Sequence, residues 1–296
     1  EKGADFTEDF MGKPLDVGSK VMIPPLMPCG HCHYCVHYPE SANKCLTPVY
    51  YGRYLGFDKA PHLWGGWAEY VYVDLEMLPG TKVYKLPDDM SLRLGALSEP
   101  LTSCIRAFNR AKRAGGFNWG DTVVIQGSGP IGILTIIAAK AAGAAEIVAT
   151  DVVDGPLPTA LKMGASRAIN VMAEPDRLKA EYGAEKGAFD VMFEASGNQH
   201  ALTGAFDVVR SGGVIVQIGV GGNFTLPMNV VVAKEFDLRG SFRFHEEFAI
   251  GVELMRKGLI DVKPLITHTM PLAEAETAFV TASDRTKAMK AQIAFG

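Results

Sequence analysis

The 296-residue sequence has no apolar run long enough to cross a bilayer. Its longest apolar stretch, TVVIQGSGPIGILTIIAAKAAGAAEIVAT, is broken by Gly, Pro, Lys and Glu before it reaches the roughly 18 to 20 residues a span needs, which argues against a membrane protein. Runs of one charge are missing too. The 29 basic residues are scattered among 33 acidic ones, giving a net charge of -4 and no basic patch to hold nucleic acid or an anionic membrane. There is no basic-then-apolar leader: the chain opens EKGADFTEDF, with Glu rather than Met at residue 1, and reads as the larger part of a longer protein. Cysteine is scarce, at five residues, and unevenly spread, unlike the dispersed framework of a secreted disulfide protein. What is left is 48% hydrophobic and 21% charged, long enough for two globular domains with a large core.

Four of the five cysteines, Cys29, Cys32, Cys35 and Cys45, fall in PCGHCHYCVHYPESANKC with spacing C-x2-C-x2-C-x9-C. Thiols this close in sequence can face one point only if the backbone wraps around something. A tetrahedral zinc ion suits four sulfurs, and a closed four-thiolate shell leaves no position for substrate, so the site reads as structural. The competing metal reading is an iron–sulfur cluster, but the ferredoxin run closes with x3 and a following Pro, where this loop has x9 and Leu46. His31, His33 and His37 lie inside the loop and read as solvent-facing, because the cysteines already complete the shell. Cys104, in PLTSCIRAF, reads as a small buried hydrophobe in a helix. After the loop, GGWAEYVYVD (65–74) alternates like a strand, and KLPDDMSLRLGALSEP supplies a Pro-bounded loop and a short helix. Trp64 and Trp67 flank two glycines and are read as packing residues rather than a ligand platform.

From Thr122 the pattern turns α/β. TVVIQ is a continuous apolar run suited to a parallel strand buried on both faces, and GSGPIG leads directly into ILTIIAAKAAG, a helix capped by Gly143. Gly127 permits the tight turn, Gly129 lets backbone approach a pyrophosphate, Gly132 lets the helix pack on the strand, and the helix N-terminus faces the anion. The next strand, EIVATD, ends at Asp151, at the distance where an acid accepts hydrogen bonds from the adenosine ribose. That acid favours NAD over NADP. A 2′-phosphate about 4 Å from a carboxylate meets repulsion of about 4 kcal/mol per charge at an effective dielectric of 20. The following VVDGPLP offers no Arg to reverse the preference. FDVMFEASG, a helix around QHALTGAFDVVR, GGVIVQIGV and FDLRGSF continue a doubly wound parallel sheet. A methyltransferase shares the first turn and the acid, so the sheet alone leaves the cofactor open; the cysteine loop favours the nicotinamide reading.

CGHCHYC...C, GGWAEY, SEP, GSGPIG with Asp151, and LITHTMPLAEAETAF together resemble the medium-chain, zinc-containing dehydrogenases of the alcohol, sorbitol and threonine dehydrogenase group, over essentially the whole chain. The resemblance implies an α/β fold: a Rossmann sheet plus a β-rich, GroES-like catalytic domain. It divides the chain into residues 1–105 (catalytic, incomplete, with the zinc loop 29–45), 106–242 (NAD-binding) and 243–296 (return to the catalytic domain). It further implies a homo-oligomer, dimer or tetramer, in the cytoplasm, acting on a small-molecule polyol or sugar acid. Gly127, Ser128, Gly129, Pro130 and Ile131 would hold the pyrophosphate of NAD and Asp151 the ribose; Ala195 and Ser196 would line the adenosine side, with Gly219 and Ser241 near the nicotinamide. A second, catalytic zinc of the complete enzyme would take Glu99 as a ligand, although no Cys precedes Cys29 and no His precedes His31 to join it. The bland role for Glu99 is a carboxylate at a helix N-terminus. Arg243 would pair with a substrate carboxylate, or else with Glu246 or Glu247 at the surface. The runner-up reading is an NAD(H)-binding, zinc-stabilised protein with no catalytic metal and no dehydrogenase activity.

Overall fold

Six short strands, the central ones built on apolar runs, pair in parallel to form the centre of the protein. The computed structural model describes residues 3, 6–50, 65–66, 68–73 and 82–295. Its main sheet comprises β1 (Thr122–Gln126), β2 (Glu146–Asp151), β3 (Arg167–Asn170), β4 (Phe189–Glu194), β5 (Val209–Gln217) and β6 (Asp237–Gly240). The strand order is β6-β5-β4-β1-β2-β3, and every pairing is parallel. The order reverses at β1, so the carboxyl ends of β1 and β4 flank the crevice where doubly wound sheets bind ligands.

The continuous apolar reading of the strands follows from burial on both faces. Val123, Ile125, Val191, Phe193, Val214 and Val216 pack into one core cluster, and the alternate residues Val124, Val148, Met192 and Ile215 into a second on the opposite side. The first face is covered by α1 (Ser98–Lys112), which presents Leu101, Cys104, Ala107, Phe108 and Ala111 at helical spacing, all buried. Phe108 stacks on Phe193 of β4 with ring centroids 4.3 Å apart. Cys104 is fully buried, and burial pushes its thiol up to about 12, as a small hydrophobe in a core should behave.

Chain beyond Ser241 packs back against the N-terminal part. The helix Glu247–Arg256 lies on α1, joined by a buried ion pair, Arg106 Nη1 to Glu247 Oε1 at 3.1 Å. Phe248 meets Tyr84 with centroids 4.8 Å apart, and Asn43 of the cysteine loop donates to the carbonyl of Phe242 at 2.8 Å. Among the described residues, no helix is long and apolar enough to cross a membrane.

Two expectations need correction. Residues 65–66 and 68–73 form bends and irregular chain rather than a strand, with Tyr70 and Tyr72 88% and 67% exposed. Alternation marks a strand only where a neighbour takes its backbone hydrogen bonds and one face is covered. Trp64 and Trp67 lie outside the described residues. The helix expected over 199–210 spans only Gln199–Gly204, because Val209 is already in β5, paired with Phe189 of β4.

Candidate functional site

The glycine-rich turn owes its shape to three different constraints. Gly127 sits at φ +91°, and a Cβ there would stand 2.9 Å from the Ser196 Cβ. A Cβ on Gly132 would stand 1.8 Å from the Gly127 carbonyl oxygen, so only glycine lets the helix start this close to the strand. A Cβ on Gly129 would meet no atom within 4 Å, so the backbone there faces open space that a pyrophosphate can fill. Gly129 caps the following helix, Pro130–Ala142, and Pro130 removes one N–H that would otherwise lack a partner. These features fit a dinucleotide. Asp151, at the end of β2, is buried behind the turn: its Oδ2 accepts from the Ser128 N–H at 2.8 Å and its Oδ1 from the Val152 N–H at 2.8 Å.

A cleft of about 380 Å³ opens beside this turn at the carboxyl ends of the strands. Its lining brings together Glu99, Ile131, Ala195, Ser196, Gly219, Ser241 and Arg243, which are far apart in sequence. Gly127, Ser128, Gly129, Pro130 and Asp151 lie in and behind the adjoining turn rather than in the cleft wall. Glu99 is half-buried in the first turn of α1; burial raises its carboxyl pKa, against an opposing pull from Lys290. Arg243 holds a left-handed backbone, φ +58°, with its guanidinium 4.2 Å from the Phe242 ring centroid. Such a conformation costs a non-glycine residue of order 1–3 kcal/mol and persists where the surroundings impose it. Glu247, one of the surface partners considered for Arg243, pairs with Arg106 instead.

The four cysteines converge. Their sulfurs lie within 4.8 Å of one another, with Cys32 Sγ 3.5 Å from Cys35 Sγ and 3.8 Å from Cys45 Sγ. Sulfurs at the vertices of a tetrahedron with Zn–S bonds of about 2.3 Å stand about 3.8 Å apart, so the set fits zinc. The Thr47 hydroxyl, with amide donors, lowers the Cys29 thiol to about 5, whereas burial among the other sulfurs pushes Cys35 up to about 12. Four sulfurs so placed ionise together only around a cation. His31, His33 and His37 are exposed and outside the cluster. Among the described residues this is the only group of three or more His, Cys, Asp or Glu placed to hold a metal. Glu99 therefore has no companion ligands among them, and the described residues do not form a catalytic zinc site.

Two residues near the turn were not singled out from sequence. Glu194, fully buried at the end of β4, accepts from the N–H groups of Ser196 and Gly197 at 2.7 and 3.0 Å, from the Ser196 hydroxyl and from the Gln217 amide, and so fixes the loop that forms one cleft wall. An acid inside the apolar FDVMFEASG was the available signal. Arg285, whose Nη2 lies 3.3 Å from both carboxylate oxygens of Asp151, comes from 134 residues further on. The residues that immediately follow Asp151 in sequence carry no sign of it.

A doubly wound sheet with a glycine cradle, a cleft at its switch point and four cysteine sulfurs spaced for a zinc ion fit the class of zinc-containing, dinucleotide-binding oxidoreductases. Residues 130–257 match the family described as Zinc-binding dehydrogenase, and residues 8–88 match Alcohol dehydrogenase GroES-like domain. The chain belongs to this zinc-binding dehydrogenase family. It is 37% identical to L-idonate 5-dehydrogenase (NAD(P)(+)) of Escherichia coli strain K12, covering 95% of this chain and 77% of that protein. It is 33% identical to D-xylulose reductase A of Aspergillus niger, covering 90% of this chain and 71% of the relative. The crystal structure of the Escherichia coli L-idonate 5-dehydrogenase superposes with a TM-score of 0.78 at 35% identity, covering 94% of this chain and 76% of that one.

Proposed function

We propose that the protein moves a hydride between NAD and the secondary alcohol of a polyol or sugar acid, with an L-idonate-like acid as the favoured substrate. The observation that carries this reading is the cleft lined by Glu99, Arg243, Ala195, Ser196 and Gly219, which adjoins the glycine-rich turn with its open backbone at Gly129. When bound, the nicotinamide accepts the hydride from the carbinol carbon. The chain's own residues bind and align. The turn Gly127–Ile131 holds the pyrophosphate with the N–H groups of Gly129 and Ile131 as donors, since those of Gly127 and Ser128 go to the Thr150 carbonyl and Asp151 and Pro130 has none; Asp151 faces the ribose, Ala195 and Ser196 line the adenosine side, and Gly219 and Ser241 flank the nicotinamide. Arg243, held in a strained backbone over the Phe242 ring, offers a planar fork for a substrate carboxylate. The names of the relatives, an L-idonate dehydrogenase and a xylulose reductase, support this substrate class.

A second reading, an NAD(H)-binding, zinc-stabilised protein without turnover, is supported by the absence, among the described residues, of a metal-ligating group of three or more that includes Glu99. Zinc content and NADH formation with L-idonate separate the two. The first reading expects two zinc equivalents per chain and chelator-sensitive NADH formation; the second expects one equivalent, NADH binding and no oxidation. If the first holds, Arg243→Gln should raise the KM for L-idonate by about tenfold, the worth of one charge-assisted hydrogen-bond pair, and leave that for uncharged sorbitol nearly unchanged. An equal change for both substrates would remove Arg243 from carboxylate recognition.

A further inference from the structure

Arg285 occupies the turn between the helix Ala275–Ser283 and the strand Lys290–Ala294. Its Nη2 reaches both oxygens of Asp151 at 3.3 Å, and the two side chains differ sharply in exposure, 59% for Arg285 and 1% for Asp151. The guanidinium thus covers the acid from the solvent side. Its position is built rather than incidental. Asp284 accepts from the Thr286 N–H at 3.0 Å and the Thr286 hydroxyl at 2.6 Å, which shapes the turn. The turn also rests on the loop that follows Asp151: a Cβ on Gly155 would lie 3.8 Å from the Arg285 carbonyl oxygen.

The acceptor capacity of Asp151 is filled. Oδ1 accepts from the Val152 and Val153 N–H groups at 2.8 and 3.2 Å, and Oδ2 from Ser128 at 2.8 Å; Arg285 adds one contact to each oxygen. A carboxylate has about four acceptor sites, so a ribose hydroxyl arriving here meets the guanidinium as well as the acid. The guanidinium offers five donors in a planar fork, and Nε and Nη1 make no hydrogen bond among the described residues. A positive charge fixed beside Asp151 also offsets the repulsion that would otherwise exclude a 2′-phosphate.

We infer that Arg285 is a specificity-determining residue of the adenosine end: it neutralises Asp151 and pairs with a 2′-phosphate, so that the site accepts NADP as well as NAD. This rests on reading the Gly127–Ile131 turn and Asp151 as the dinucleotide site. The test is calorimetry on the full 296-residue chain with 5′-AMP and 2′,5′-ADP as probes, comparing the parent with Arg285→Ala, Arg285→Lys and Gly129→Ala. The parent should bind both probes. Arg285→Ala should weaken 2′,5′-ADP by about tenfold or more while changing 5′-AMP by less than about threefold, and Arg285→Lys should fall between. Raising salt should weaken 2′,5′-ADP binding steeply in the parent and less in Arg285→Ala. An unchanged ratio of the two affinities in Arg285→Ala, or an equal loss of both, overturns the inference; the cofactor reading then survives if Gly129→Ala still abolishes 5′-AMP binding. A parent that binds neither probe overturns both.

Discussion

Cys45→Ser should strip the tightly held zinc from the protein and lower its unfolding free energy by several kcal/mol. Cys45 is the buried member of the cluster, and its sulfur accepts from the Cys29 N–H at 3.3 Å, so it ties the two ends of the loop together. Metal binding contributes roughly 10 to 16 kcal/mol to the folding of isolated zinc-finger peptides; in a larger domain only the loop and its contacts depend on it, so the loss is a fraction of that. The loop is also tied to the cleft through the Asn43 hydrogen bond to Phe242, whose neighbour is Arg243. Loss of zinc should therefore loosen that wall and weaken ligand binding in the cleft. Cys104→Ser is the control. Its Sγ lies within hydrogen-bond reach of the Pro100 and Ile131 carbonyls, 3.4 and 3.5 Å away, so a hydroxyl has acceptors there and zinc should stay at its original content. Unchanged metal content and melting in Cys45→Ser would show that the four thiols do not share an ion.

The parts of the fold that could be read from residues are those where local sequence and tertiary environment agree. TVVIQ and EIVATD are strands because each carries a central apolar run and is buried on both faces beyond its first residue, and GSGPIG makes the turn because glycine alone fits at 127 and 132. The cysteine cluster was legible for the same reason: its spacing already limits which atoms can meet. Residues 65–73 were misread because alternation carries no information about whether a partner strand exists. Glu99, Ser241 and Arg243 follow from family resemblance rather than from spacing, and the structure collects them in one cleft. Arg285 was missed because an ion pair across 134 residues leaves no trace in a window around Asp151. Glu194 was passed over because one acid ending an apolar strand looks like a strand boundary, although its carboxylate organises the adjoining wall.

Gly132→Ala should both destabilise the protein and nearly abolish NADH binding, and the pairing of these effects with a second variant separates packing from recognition. The added methyl would lie 1.8 Å from the Gly127 carbonyl oxygen and 2.8 Å from its carbonyl carbon, both backbone atoms. Gly127 cannot retreat freely, because it is already packed against Ser196. Relief therefore requires moving the start of the helix Pro130–Ala142 away from β1, at the 1–3 kcal/mol typical of overpacking. Displacing the turn by about an ångström would also take its N–H groups off the pyrophosphate, an error worth on the order of 100-fold. Gly129→Ala makes the complementary case. Its backbone, φ -67° and ψ -175°, suits alanine, and its methyl would point into open space, so stability should change by no more than about 1 kcal/mol, the scale of an N-cap substitution. NADH affinity should nevertheless fall, because the proposed function puts the pyrophosphate in that space. Thermal unfolding and NADH fluorescence titration on both variants decide the matter: wild-type affinity in Gly129→Ala would mean that the dinucleotide does not cross this turn, whatever Gly132→Ala does to stability.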